Sequence, residues 1–161
     1  MNYKALNNLA TMFFDSAEHF PQKPFLWAKR NGKYISGSYS ETKNKVQLLA
    51  DSLHQLGVEK GDRVVVVSEN RPEWVIADLA IISLGGITVP AYTTNTTDDH
   101  LYILDHSEAK IAIVSVDKLA VRLMNAMSKS ASCKTIISIE ELSSDVDPSL
   151  KHLDWSSLLA P

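Results

Sequence analysis

The stretch RVVVVSENRPEWVIADLAIISLGGITVPAY, from Arg63 to Tyr92, decides the fold. It opens with the unbroken valine run Val64–Val67, continues through an apolar segment, and ends in a second short β-branched run, ITVPA. A strand whose apolar residues do not alternate is buried on both faces, as in a parallel sheet. The segment from Arg71 to Leu84 is apolar nearly all round, which is typical of a buried helix. We therefore predict two parallel strands joined by a buried helix.

The adjacent glycines Gly85 and Gly86 admit two interpretations. A phosphate-binding glycine loop follows a strand and opens a helix, so that amides at the helix N-terminus meet the anion. Here the pair follows the predicted helix and opens a strand. Gly85 fits the left-handed position that ends helices. We predict a helix stop rather than a phosphate cradle.

The rest of the chain extends this alternation. The predicted elements downstream are the helix TDDHLYILDH capped near Thr97, the strand KIAIVS, the helix DKLAVRLMNAM and a final strand, KTIISI. Upstream, Leu6, Leu9, Phe13, Ala17 and Phe20 recur at steps of three and four, which indicates an amphipathic helix. The fold class is α/β, with a mainly parallel sheet, helices on both faces and an N-terminal β-hairpin.

The hairpin prediction rests on Asn31-Gly32, which lies between two runs rich in apolar and aromatic residues. Asn-Gly is a strong hairpin signal because both residues tolerate positive φ. A helix with Ser40 as its N-cap and Gly57 as its stop is predicted to follow.

Composition narrows the functional classes. The chain has 161 residues and a net charge of −3, which gives no electrostatic reason to expect a nucleic-acid partner. Cys133 is the single cysteine, so an intrachain disulfide cannot form. Polar residues such as Asn7, Asp15 and Glu18 interrupt the N-terminal apolar residues, unlike a signal peptide. The longest apolar run, WVIADLAII, is too short to cross a bilayer. We expect a soluble, cytoplasmic protein without a transmembrane segment.

Two loops are candidate binding sites because ligands of open parallel sheets favour the carboxyl ends of strands. The loop SENR offers Asn70 and Arg71, and Arg71 could meet a phosphate at a helix N-terminus. The alternative is capping by Asn70, with Glu73 completing a capping box and Arg71 in solvent. The loop YTTNTT offers Tyr92, Thr93 and Thr94, with a polar helix-capping loop as its alternative.

No catalytic residue or metal site is predicted. Asp98, Asp99, His100, Asp105 and His106 suggest metal ligands, but the two clusters are separated by about two helical turns. A solvated acidic helix is the preferred interpretation.

The sequence GSYSETKNKVQLLADSLHQLGVEKGDRVVVVSENRPEWVIADLAIISLGGITVPAYTT resembles the amino-terminal part of the adenylate-forming (AMP-binding) superfamily. The stretch SENRPEWVIADLAIISLGGITVPAY is most similar to the long-chain fatty acyl-CoA ligase (synthetase) branch. HSEAKIAIVS fits the next helix–strand step, and the likeness extends from about Leu9 to Ile139. The resemblance implies an amino-terminal α/β subdomain over residues 1–139. Residues 140–161 would form a polar tail leading toward the phosphate-loop region.

The resemblance implies a ligase that joins a fatty acid to ATP with Mg²⁺ and passes the acyl group to CoA. In the family, the phosphates are held by a Ser/Thr/Gly-rich loop and later segments, none of which occurs in these 161 residues. We therefore expect an inactive amino-terminal fragment that binds none of these cofactors tightly. Tyr92–Thr94 could then lie near the acyl or pantetheine channel. Uncovered apolar surface leads us to expect a homodimer, and peripheral membrane contact stays open.

The sequence leaves two alternatives to a ligase fragment open. A stand-alone, non-catalytic α/β interaction module derived from the family is the first. A flavodoxin-like or receiver domain is the second, and it is disfavoured because no hydroxyl-rich phosphate loop follows the first long strand.

Overall fold

The computed structural model describes residues 8–160, which form a two-stranded antiparallel hairpin and a five-stranded parallel sheet. The strands are β1 (Pro24–Arg30), β2 (Lys33–Ser38), β3 (Arg63–Val67), β4 (Ile87–Ala91), β5 (Ile111–Val114), β6 (Thr135–Ser138) and β7 (Lys151–Asp154). The helices are α1 (Leu9–His19), α2 (Tyr39–Gln55), α3 (Pro72–Ser83), α4 (Thr97–Ser107), α5 (Asp117–Met127) and α6 (Trp155–Leu158). Leu6, predicted on the face of α1, lies outside the described residues.

The predicted hairpin is confirmed. β1 pairs with β2 from Pro24 to Arg30, and Arg30 opposite Lys33 closes a two-residue turn. Asn31 and Gly32 both have positive φ, at 50° and 78°. A two-residue turn that matches the right-handed twist of the two strands requires positive φ at both of its residues.

The parallel sheet is also confirmed, in the order β4-β3-β5-β6-β7. Alternate residues of each strand enter two different cores, because side chains of a strand point to opposite faces. Val64 and Val66 pack with α2 and α3. Val65 and Val67 pack with α4 and α5. Helices therefore cover both faces, and this explains the unbroken valine run.

The strand order creates a switch point between β3 and β5. β3 is the first strand of the sheet along the chain, yet it lies between the second, β4, and the third, β5. The chain leaves β3 through α3 on one face and leaves β5 through α5 on the other. Diverging connections of this kind open a crevice at the carboxyl ends of the two strands, the usual ligand position in such sheets.

Gly85 ends α3 as predicted. Its φ is +73°, its N–H donates to the Ile82 carbonyl at 3.0 Å, and the Gly86 N–H donates to the Ile81 carbonyl at 3.0 Å. These two bonds form a Schellman motif, which satisfies the last carbonyls of a helix. The glycine pair is thus part of a helix end and not of a phosphate loop.

Two of the predicted helix starts were wrong. α2 is capped by Ser38 rather than Ser40, because Ser38 and Glu41 form a reciprocal capping box. α3 starts after Arg71 without a side-chain cap, so neither Asn70 nor Glu73 caps it. Pro72 is tolerated at the first helical position because the N–H of that position has no intrahelical partner. The cap of α4 agrees with the prediction near Thr97, since the capping residue is Thr96.

The segment after residue 140 contains structure that the sequence interpretation missed. β7 adds a fifth parallel strand beside β6, so KTIISI is not the last strand. α6 follows directly, and its Trp155 and Leu158 are buried in the core beneath α2 and α3. A four-residue edge strand with the sequence KHLD has no apolar alternation long enough to detect.

Candidate functional site

Arg71 is the centre of an ion-pair cluster at the carboxyl edge of the sheet. Its Nε donates to Glu73 Oε2 at 2.8 Å, and its Nη1 donates to Glu140 Oε1 at 2.8 Å. Nη1 also lies 3.4 Å from Glu69 Oε1. The guanidinium therefore joins the β3–α3 loop, the first turn of α3 and the loop after β6.

The central ion pair of this cluster is mostly buried, unlike an ion pair on the protein surface. The side chains of Arg71 and Glu73 are only 17% and 15% exposed. Burial lowers the pKa of Arg71, but its hydrogen bonds to Glu73 and Glu140 outweigh that effect and raise it overall. Burial raises the pKa of Glu73, but Arg71 and a backbone hydrogen bond outweigh that effect and lower it overall. Both groups are therefore charged near neutral pH and satisfy each other.

The crevice at the switch point holds Glu69 and Ser115. Ser115 follows β5 and is fully buried, and its hydroxyl donates to Glu69 Oε2 at 2.5 Å. Burial raises the pKa of Glu69, but this hydrogen bond, one from its own backbone and the nearby Arg71 lower it overall. A carboxylate thus lies at the carboxyl ends of β3 and β5, where its charge would repel an anion.

A cleft of about 880 Å³ separates this edge from the hairpin. Trp27, Arg30 and Asn31 line it from the hairpin, and Asn70 and Arg71 line it from the sheet. Arg30 Nη2 lies 3.5 Å from Glu73 Oε1, so one ion pair crosses the cleft to the Arg71 cluster. Of the predicted binding residues, Asn70 and Arg71 therefore share one cavity.

The other three predicted residues lie elsewhere on the same edge. Val67 and Ala91 are register partners, so the loops after β3 and β4 begin side by side. Tyr92 is 81% exposed, and neither it nor Thr93 or Thr94 lines the cleft described above. Within residues 8–160, no hydrogen bond involves the side chains of these three residues. The loop is held instead by Arg122, whose Nη1 donates to the Asn95 carbonyl at 3.2 Å.

The acidic helix α4 gathers no cluster of metal ligands. Asp99 caps the helix by accepting the Thr96 N–H at 2.8 Å, and Asp105 accepts the Ser130 hydroxyl at 2.6 Å. His100 is 2% exposed, and its Nδ1 has no hydrogen-bond partner among the described residues. Across residues 8–160, no group of three or more His, Cys, Asp and Glu side chains could hold a metal ion.

Sequence reasoning missed Glu69, Glu140 and Ser115 as members of the site, and it assigned Glu73 only a capping role. One signal was present, because a polar residue directly after a buried strand lies at the carboxyl edge. Ser115 after IAIV and Ser68 after VVVV fit that rule. Glu140 could not be found in this way, since its pairing with Arg71 spans 69 residues.

None of the helices in the described part of the chain is long and apolar enough to cross a bilayer.

The curated relatives of this chain include several acyl-CoA ligases. A long-chain-fatty-acid–CoA ligase of Mycobacterium tuberculosis is 29% identical over 133 residues, covering 83% of this chain and 22% of its own length. Long chain acyl-CoA synthetase 3 of Arabidopsis thaliana is 30% identical over 135 residues, covering 81% of this chain and 20% of its own. The chain thus spans about a fifth of the length of the curated relatives it matches.

Solved structures agree in fold. A benzoate CoA ligase from Burkholderia xenovorans superposes with a TM-score of 0.76 at 26% identity, covering 96% of this chain and 28% of that one. The luciferase-like enzyme of the mealworm Zophobas morio gives 0.82 at 20% identity, covering 100% of this chain and 36% of that one. The family model described as AMP-binding enzyme matches residues 13–157, and this chain belongs to that family.

Proposed function

We propose that this chain forms the amino-terminal part of the large domain of a fatty acid–CoA ligase and is inactive by itself. The whole ligase would join a fatty-acid carboxylate to the α-phosphate of ATP and release pyrophosphate. The thiol of CoA would then displace AMP from the acyl adenylate, giving a thioester. The described residues would supply the scaffold and part of the ligand channel for this reaction.

The family match over residues 13–157 supports the place of the chain in a ligase, and the carboxylate at the switch point supports its inactivity alone. A site for ATP and Mg²⁺ needs donors or cations aimed at the phosphates. Here the crevice holds the Glu69 carboxylate and the Ser115 hydroxyl that bonds to it. The nearby cation, Arg71, is already paired with carboxylates. Glu69, Ser115 and Arg71 therefore do not fit the phosphates of a nucleoside triphosphate. We assign them to stabilising the carboxyl edge of the sheet.

The predicted binding residues keep a role in this proposal. Tyr92, Thr93 and Thr94 follow an edge strand and make no side-chain hydrogen bonds within the described residues, so their hydroxyls are available. We assign them to the wall of the acyl or pantetheine channel, and Asn70 and Arg71 to the adjoining cleft. ATP, Mg²⁺ and CoA would serve the whole ligase, and the chain alone would bind none of them tightly.

A segment exchange tests the function. Residues 13–157 would replace the matching segment of the Mycobacterium tuberculosis ligase, and CoA thioester formation would be measured with tetradecanoate, benzoate and acetate. The exchanged enzyme should use tetradecanoate in preference to the other two acids. The matched control carries Tyr102→Phe, which removes an exposed hydroxyl on α4 outside the proposed channel and should leave this preference unchanged.

The result that contradicts the proposal is equally specific. An exchanged enzyme that melts cooperatively but forms no thioester with any acid would show that the chain is not a ligase segment. Preference for benzoate or acetate would reject the fatty-acid assignment.

A further inference from the structure

The turn between β1 and β2 is the one place in the sequence where an asparagine is followed by glycine. Every asparagine other than Asn31 precedes a residue that carries a side chain. The main-chain nitrogen after an asparagine can attack the carbon of the side-chain amide, and a side chain on the following residue hinders that attack. Because glycine has no Cβ, Gly32 leaves its own nitrogen the least hindered of these nucleophiles.

The two reacting groups are exposed and are not held by other contacts. Asn31 and Gly32 both lie on the surface at the tip of the hairpin. A Cβ built on Gly32 would meet no atom within 4 Å apart from its chain neighbours, so the space around this residue is open. Among residues 8–160, the Gly32 N–H donates no backbone hydrogen bond. A hairpin tip of this kind opens locally at little cost in free energy, which lets the two groups approach each other.

Positive charge surrounds the turn. Lys29 and Arg30 precede it, and Lys33 follows it directly. No Asp or Glu occurs between Glu18 and Glu41, so the hairpin supplies no carboxylate of its own to offset these cations. The attack requires the main-chain N–H to lose its proton, and nearby cations favour the anion that results. The electrostatics of the hairpin therefore favour the reaction.

We propose that Asn31 is a modification site at which the folded chain loses its side-chain amide without an enzyme. The Gly32 nitrogen, deprotonated by hydroxide, forms a bond to Asn31 Cγ. The bond from Cγ to Nδ2 breaks, and ammonia leaves after taking a proton from water. Water then opens the cyclic imide, giving aspartate or isoaspartate according to which carbonyl carbon it attacks. This chemistry does not depend on the ligase reaction proposed above.

The two products differ in their effect on the hairpin. Aspartate keeps the backbone unchanged and tolerates the φ of 50° found at this position. It adds a carboxylate next to Arg30 on the wall of the cleft. Isoaspartate inserts a methylene into the main chain between Arg30 and Lys33, whose pairing closes the turn. We therefore expect isoaspartate, and not aspartate, to loosen the pairing of β1 with β2.

Ageing the 161-residue chain at mildly alkaline pH and physiological temperature tests the site. Cleavage after glutamate releases residues 19–41 and 42–59, which contain Asn31 and Asn44 as their only asparagines. Mass spectrometry should show an amide replaced by a carboxylate in the first peptide alone. Asn44 is the internal control, because it is exposed on α2 but precedes Lys45. Methyl transfer from labelled S-adenosylmethionine by an isoaspartyl methyltransferase measures the isoaspartate.

Two variants separate the chemistry from the fold. Gly32→Ala should slow the conversion severalfold, since a Cβ then stands beside the attacking nitrogen. Asn31→Asp supplies the aspartate product and should melt at the temperature of the unmodified chain. The isoaspartate fraction, separated by chromatography, should melt at a lower temperature than Asn31→Asp. Circular dichroism shows whether each chain is folded.

Three results would overturn the proposal. The first is an Asn31 amide that survives in the chain while a synthetic peptide of residues 25–37 loses its own under the same conditions, which would show that the fold protects the turn. The second is equal conversion at Asn44. The third is an unchanged rate in a folded Gly32→Ala chain. Either of the last two would show that the reaction is not specific to this turn.

Discussion

The role that the sequence predicts for Arg71 differs from the contacts that Arg71 makes in the structure. In the sequence it stands at the start of a predicted helix after a buried strand, the position of a phosphate ligand. In the structure its guanidinium is hydrogen-bonded to Glu73 and Glu140 and lies close to Glu69. No single-sequence pattern could reveal the pairing with Glu140, because that residue lies six elements further along the chain, in the loop after β6.

Replacing Arg71 should destabilise the fold. Arg71→Ala leaves the buried Glu73 carboxylate without its main partner, so we expect a loss of about 2 kcal/mol in the free energy of unfolding. Urea denaturation monitored by circular dichroism measures this. The matched control is Arg30→Ala, whose exposed pairing with Glu73 should contribute less than about 1 kcal/mol. Equal losses in the two variants would show that Arg71 does not brace the sheet.

His100 should make the chain sensitive to acid. Burial lowers the pKa of His100, Asp99 raises it and Arg122 lowers it, so that it lies below its ordinary value overall. The unfolded chain then takes up the proton at a higher pH than the folded chain does. Stability is therefore complete above the ordinary histidine pKa of about 6.5 and is lost as the pH falls below it.

The melting temperature between pH 8 and pH 5 tests this assignment. His100→Gln should flatten the decline, whereas the exposed His54→Gln should leave it unchanged. A decline of equal slope in both variants would assign the acid sensitivity to other groups.

Among the helices, strands and turns, the sequence predicted best those features that depend on a special backbone conformation or on burial of both strand faces. The Asn31-Gly32 turn, the valine strand and the Gly85 helix stop all appear where expected, since each rests on backbone conformation or two-sided burial. Helix starts were less certain, because Ser38 and Ser40 are both good capping residues and Glu41 decides between them. β7 was missed because its position depends on pairing with β6 and not on its own pattern.

Gly85 provides a test at this scale. Any residue with a Cβ would have to adopt the left-handed backbone conformation of Gly85, and its Cβ would lie 3.0 Å from Lys60 Cγ. Gly85→Ala should therefore cost about 1–2 kcal/mol of unfolding free energy. Gly37→Ala is the control, because a Cβ there meets atoms only at 3.8 Å and 3.9 Å. A Gly85→Ala chain as stable as the Gly37→Ala chain would rule out the helix-stop role.

The whole molecule combines a two-sided α/β scaffold with a carboxyl edge at which Arg71 pairs with Glu73 and Glu140. The fold class and the family could be predicted from the sequence, and the strand order and the family match confirm them. The candidate site could be predicted only in part. Asn70 and Arg71 meet in one cleft, whereas Tyr92, Thr93 and Thr94 lie on a separate loop of the same edge. The distance between those loops depends on turns whose paths the sequence does not specify.

The measurement that tests the central claim most directly is ATP–pyrophosphate exchange by the 161-residue chain alone. The chain would be supplied with ATP, Mg²⁺, radiolabelled pyrophosphate and fatty acids of several lengths, with the Mycobacterium tuberculosis ligase as the positive control. Because the Glu69 carboxylate lies at the switch point and the nearby Arg71 is already paired with carboxylates, we predict no exchange above that of a heat-denatured sample. Reproducible, fatty-acid-dependent exchange above that level would contradict the account and show that these residues contain a complete adenylation site.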